Sequence, residues 1–116
     1  MLTLTGLKAC DTCRKAQKWL AENDIRFTYR DVKSDGVPQN DLERYVALLG
    51  WDKAINKAST TWRGLSDDQK NDITDEKAVN LLLANPSLMK RPLFEIGDEI
   101  VLGFRDEQKQ RILELI

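Results

Sequence analysis

The 116-residue chain contains no histidine, which removes the imidazole base on which most serine and cysteine nucleophiles depend. A reactive thiol here needs another means of activation. Cysteine is almost as scarce, with only Cys10 and Cys13. Two thiols fill half of a usual four-ligand structural zinc site, and Arg14 stands where haem attachment requires histidine. Metal and haem roles are therefore set aside, and no bound cofactor is expected. An excess of one charge is also lacking: 18 Lys and Arg against 19 Asp and Glu leave a net charge of −1. That balance supplies no field to hold a phosphate backbone, so nucleic acid is not an expected partner. The longest apolar run is Leu81-Leu82-Leu83-Ala84, far short of the roughly 18 residues that span a bilayer. The N-terminus has neither the basic start nor the long apolar stretch of a signal peptide. These features predict a cytoplasmic protein without a membrane partner.

What is present suits one globular domain: 41% apolar and 32% charged residues build a core without the composition of a disordered chain. The first six residues alternate before Gly6, as a short strand ending in a turn does. From Thr12 to Asn23, Cys13, Ala16, Trp19 and Leu20 recur at helical spacing. Ile25, Phe27 and Tyr29 then alternate with polar residues, completing a βαβ unit. Leu42, Tyr45, Val46 and Leu49 form a second helical stripe closed by Gly50. Residues 51–65 show no clear period. Ser66 to Gln69 resembles a capping box, Thr74 precedes another helical run, and Asn85-Pro86 ends it. Residues 92–96 and 100–102 read as two strands around a Gly97-Asp98 turn. A last helix follows Asp106, capped by that residue or a neighbour. The order predicts an α/β fold of the thioredoxin-like type: βαβ, then ββα, one four-stranded mixed sheet, with a helical insertion. The sheet-forming parts span about 1–32 and 91–116, and the insertion about 38–86.

If the first helix begins near Asp11 or Thr12, Cys10 lies at its amino end, where free N–H groups and the helix dipole favour a thiolate. Lys8 and Arg14 are candidate cationic neighbours, and Asp11 opposes them. Cys13 lies one turn on, within reach of a disulfide. Inert packing of small apolar thiols is the bland alternative and suits Cys13 better than Cys10. Arg91-Pro92 opens a strand, and statistics for X–Pro bonds favour trans. Arg91, Lys90, Arg63 and Arg105 read singly as solvated surface residues. Thr60-Thr61-Trp62-Arg63 has no evident structural purpose, and its hydroxyls and guanidinium suit a carboxylate or oxyanion.

Taken together, Cys10-Asp11-Thr12-Cys13-Arg14-Lys15-Ala16, Thr60-Thr61-Trp62-Arg63, Asn85-Pro86, Lys90-Arg91-Pro92 and Leu102-Gly103-Phe104 resemble the ArsC/Spx family, most closely its YffB-type branch. The resemblance implies a thioredoxin-like fold with a helical insertion and a glutathione-dependent thiol reductase. It makes Cys10 the nucleophile, Arg91 an anion-binding residue and Pro92 a cis-proline. Glutathione is the implied co-substrate and glutaredoxin a further partner. On this reading Lys8 activates the thiol, Arg91 and Arg63 hold an anionic substrate or a glutathione carboxylate, and Cys13 resolves the mixed disulfide. The chain departs from arsenate reductases at Gly6, Leu7 and Lys8, where those enzymes have His, Asn and Pro. Of their three anion-binding arginines only Arg91 matches, the others aligning with Asn56 and Phe104. Loss of two charge-assisted contacts argues against arsenate as substrate. Resemblance to Spx implies the alternative of a redox-switched regulator that binds RNA polymerase. Spx proteins carry a basic tail after the last helix, whereas this sequence stops at Ile116, an expectation against transcriptional regulation.

Overall fold

A computed structural model describes residues 2–116. The chain divides into two compact units, Met1–Asp35 with Arg91–Ile116, and Gly36–Lys90. The first contains β1 (Leu2–Gly6), α1 (Asp11–Glu22) and β2 (Phe27–Asp31). The second contains α2 (Gln39–Leu49), α3 (Trp51–Ala54), α4 (Thr60–Arg63), α5 (Asp67–Lys70), α6 (Asp75–Ala84) and a 3₁₀ turn at Pro86–Leu88. The chain then returns to the first unit as β3 (Leu93–Ile96), β4 (Glu99–Leu102) and α7 (Asp106–Leu115). Among the described residues, no helix is long and apolar enough to cross a membrane.

The sheet runs β2-β1-β3-β4, with β1 parallel to β2 and antiparallel to β3. The parallel pair is what a βαβ crossover produces, and the two-residue Gly97-Asp98 connection produces the antiparallel β3–β4 pair. Register places Leu4 between Tyr29 and Phe94, and Gly6 beside Asp31. Because side chains alternate, Leu2, Leu4, Gly6, Tyr29 and Asp31 share one face. That face packs under α1 and α7: Leu2, Leu4, Ala16, Leu20, Phe94, Val101 and Ile112 form a buried cluster. Full burial of a residue such as Leu20 contributes about 2 kcal/mol. Trp19 and Phe104 extend the cluster, with Trp19 edge-on to Phe104 at 5.7 Å between ring centres and Phe104 tilted against Phe94.

In the second unit, α6 packs on α2, and the Ile55–Met89 bridge ties its short segments together. The capping box at Ser66 is present, and Thr74 caps α6. The aperiodic stretch 51–65 contains two helices of four residues each, α3 and α4. A single turn is too short to show a period. The cap of α7 corrects a further expectation: Asp106 is already the first helical residue, and Arg105 precedes it as the cap. Gln108 Oε1 accepts from the Arg105 N–H at 2.9 Å, the reciprocal half of a capping box. The Arg91-Pro92 bond is cis, as the resemblance implied and against the frequency of X–Pro bonds.

Candidate active site

The site starts where β1 hands over to α1. The Cys10 N–H donates to Leu7 O at 2.9 Å, closing a turn, and Cys10 then adopts extended backbone (φ −85°, ψ 117°) as the cap of α1. Its own carbonyl accepts from Arg14 N–H at 3.1 Å. The remaining first-turn amides have no intrahelical acceptor, as at every helix start. The thiol closes no geometric cap hydrogen bond, yet the amides of Cys13 and Thr12 face its sulfur and favour the anion. Partial burial opposes ionisation, but the Cys13 thiol, those amides and the Arg91 charge outweigh it, and the Cys10 pKa is lowered. The effective cation is thus Arg91. Arg14 is paired with Asp11, and the Lys8 backbone N–H, as distinct from its ammonium, donates to Asp31 Oδ2 at 2.7 Å.

Cys13 behaves in the opposite way. It is fully buried on the core face of α1 with Ala16 and Leu20, whereas Cys10 is half-buried, and both are free thiols. Burial pushes the Cys13 thiol up to about 12, helped by the neighbouring Cys10 and resisted by the Leu7 amide and Arg91. The same helix turn therefore holds one sulfur inclined to ionise and one held protonated.

Gly6 makes room for that second sulfur. A Cβ added there would lie 2.8 Å from Cys13 Sγ and 3.1 Å from Cys13 Cβ. The glycine read as a turn signal is the last residue of β1 and a seat for Cys13. Beside it, Asp31 is buried, and its carboxylate accepts from the amides of Lys8, Lys33 and Ser34 at 2.7, 2.8 and 3.0 Å. Its burial opposes ionisation, but these three donors hold its pKa below the usual carboxylate range. Asp31 therefore pins the Lys8 end of the loop that carries Cys10. No local signal marked it; a lone aspartate at a strand end looks like any loop residue. An open cavity of about 440 Å³ adjoins, lined by Lys8, Arg14, Gln17, Tyr29, Asp31, Ser34 and Asp35.

Of the residues singled out in the sequence, Lys8, Cys10, Cys13, Arg91 and Pro92 belong to this one unit. The Pro92 carbonyl accepts from Gly103 N–H at 2.9 Å, which anchors the residue beside the charge that acts on Cys10. Arg63 belongs to the other unit, where its guanidinium donates to Ala58 O at 2.8 Å. The hydroxyls around it also have local partners: Ser59 Oγ accepts from Trp62 N–H, and Thr61 Oγ1 bonds Ser87 Oγ at 3.0 Å. Phe104, aligned with an anion-binding arginine of arsenate reductases, is a core ring packed on Trp19 and Phe94.

Comparison with known proteins agrees with this geometry. The model of a family described as the ArsC family matches residues 6–112. An uncharacterised protein of Haemophilus influenzae is 39% identical over 110 residues, covering 95% of this chain and 96% of its own. The global transcriptional regulator Spx of Staphylococcus aureus is 27% identical over 115 residues, covering 97% and 87%. The solved structure of a YFFB protein superposes with a TM-score of 0.91 at 38% identity and covers all of both chains.

Proposed function

The chain belongs to the ArsC family, and from that premise we propose that it is a glutathione-dependent thiol reductase working through the Cys10 thiolate. The observation that carries the reading is the contrast between two free thiols one helical turn apart: Cys10 is half-buried at the start of α1, where amides and Arg91 favour its anion, and Cys13 is fully buried in the core. In the first step, the Cys10 thiolate attacks one sulfur of a disulfide. A Cys10 mixed disulfide forms, and the other sulfur leaves as a thiolate that takes a proton from water. When the mixed disulfide carries glutathione, two routes restore Cys10. A second glutathione thiolate attacks the bound glutathione sulfur and leaves as glutathione disulfide. Alternatively, Cys13 attacks Cys10, releases glutathione and leaves an internal disulfide for glutathione or glutaredoxin to reduce.

Arg91 serves the anionic part of the substrate as well as the thiolate, since a guanidinium binds carboxylates through paired donors. Arg63 belongs to the other unit, and its binding of a carboxylate is an expectation from the sequence that its substitution tests. Arsenate is not the proposed substrate: two of the three arginine positions are Asn56 and Phe104. Chemistry that returns thiols to the reduced state suits a reducing compartment, in keeping with a cytoplasmic protein.

The test is intact mass after incubation with oxidised glutathione. The parent protein should gain one glutathione or form an internal disulfide, Cys13→Ser should hold the adduct, and Cys10→Ser should gain none. Unmodified parent protein, with a Cys10 pKa equal to that of free cysteine, would discard the reading.

A second reading draws on the Spx relative and on the two adjacent free thiols. On it the chain is a binding module whose Cys10–Cys13 disulfide alters a partner surface, with RNA polymerase as the partner to test. Pull-down before and after oxidation separates the two: retention in one redox state without turnover favours the switch.

A further inference from the structure

The Cys13 sulfur shares its seat with a second polar group. Tyr29 stands two residues before Asp31 on β2, on the sheet face beneath α1, and pairs across β1 with Leu4. The Cβ position of Gly6 lies 3.3 Å from the Tyr29 hydroxyl and 2.8 Å from Cys13 Sγ. Hydroxyl and sulfur therefore converge on the same gap in β1. The hydroxyl is buried and makes no hydrogen bond, a state that native proteins rarely leave without a use. Its pKa is pushed up to about 12 by burial and by Cys13, Asp31, Cys10 and Asp35, so it stays a proton donor across the working range.

In the reduced protein, the Cys13 thiol serves the Cys10 sulfur, whose charge in turn discourages Cys13 from ionising. Once Cys10 is locked in a mixed disulfide, that charge is gone. Cys13 must then become an anion inside the core, where the Leu7 amide and Arg91 favour its charge. A neutral hydroxyl with an uncommitted proton is the group that such an anion lacks.

We propose that Tyr29 is a positioning residue for resolution, donating its hydroxyl proton in a hydrogen bond to the Cys13 thiolate as that sulfur attacks Cys10. The inference rests on the thiol-reductase reading and deepens it. Cys13 gives its proton to water, and its electron pair forms the bond to Cys10 Sγ. The Cys10–glutathione S–S bond breaks, and glutathione departs as a thiolate that is then protonated. The two cysteines are oxidised and the glutathione sulfur is reduced, while Tyr29 keeps its proton throughout. Charged and titratable groups facing this pair are Cys10 on α1, Asp31 and Asp35 from β2 and its following loop, and Arg91 before β3. The amides of Lys8, Lys33 and Ser34 hold Asp31 as a carboxylate where the thiol titrates.

The experiment uses Tyr29→Phe, which keeps the ring that packs against the core. Glutathione release from the preformed Cys10 mixed disulfide is followed by quenched mass spectrometry across pH. Release should slow about tenfold, with its pH profile displaced upward by about one unit, while formation of the mixed disulfide keeps its parental rate. A ring acting only as packing would leave that profile in place. Independently, the pH dependence of the Cys13 ¹³Cβ shift is compared in Cys10→Ser with and without Tyr29→Phe. An upward displacement supports the assignment, and superimposable titrations overturn it. If the parent forms no mixed disulfide, the reductase reading fails, while the titration still decides whether Tyr29 stabilises the Cys13 anion.

Discussion

The β1–α1 junction and the 56–64 segment look alike in sequence: each is short, carries a cation beside a thiol or hydroxyls, and shows no apolar period. In the structure their polar groups have different destinations. Around 56–64, Ser59 caps α4, Thr61 bonds Ser87, and Arg63 donates to Ala58, while Lys70 lies over the Trp62 ring at 5.7 Å. At the junction, Cys10 caps a helix without closing a side-chain bond. A side chain that completes its own local bonds holds the fold, and one that leaves helix amides unanswered is available for chemistry.

The strongest way to break this contrast is to crowd the seat beneath Cys13. Gly6→Ala puts a methyl within 2.8 Å of Cys13 Sγ, and such overpacking is expected to cost about 3 kcal/mol, read as a lowered urea midpoint. Adding Cys13→Ala should recover part of the loss; no recovery would mean that the backbone, not the sulfur, is what the methyl meets. This seat was invisible in the sequence, because a glycine after an alternating strand signals a turn equally well. Cys10 was legible, because a strand, a glycine and an amphipathic period beginning near residue 11 put it at a helix start through local rules alone.

Asp31 sharpens the comparison from the side of the loop. Asp31→Asn removes the charge that three backbone donors serve and should lower stability at neutral pH by about 2 kcal/mol. The three donors hold the folded pKa below the ordinary aspartate value. The contribution is therefore fully present above the unfolded pKa and is lost as pH falls through the folded value. Chemical denaturation of parent and Asp31→Asn should thus converge as pH drops below that range. A constant difference between them down to the acid limit contradicts the assignment.

Next in size is a comparison of arginines. Arg91→Ala should raise the Cys10 pKa, measured as an upward displacement of the pH profile of iodoacetamide alkylation in a Cys13→Ser background. Arg63→Ala should leave that profile alone, and any effect it has belongs to substrate affinity. The smallest effect is Ser59→Ala, which removes the acceptor of Trp62 N–H. It should cost about 1 kcal/mol in thermal or urea unfolding and leave thiol alkylation unchanged.

Other gaps in the sequence reading have similar physical causes. The helices α3 and α4 span four residues each, less than the window any periodicity needs. Arg105 is the cap of α7 because Gln108 reaches back to its amide, a contact that the acidic Asp106 masks. Lys8 and Arg14 read as the cations near Cys10, and the Arg91 charge that also acts on the sulfur is brought there by the return of the chain into β3. Tyr29 read as one apolar position of an alternating strand, and nothing nearby in sequence gave its hydroxyl a purpose.

The amino-acid sequence by itself determined the order of the strands and of the longer helices, the hairpin at Gly97-Asp98 and the placing of Cys10 at the start of α1. Each follows from periods, caps and turn residues that act over a few positions. Only the tertiary structure decided how deeply each sulfur is buried, which groups surround it, and why Gly6, Tyr29 and Asp31 matter. Those depend on burial and on groups that meet through sheet register and helix packing, which no short window of sequence encodes.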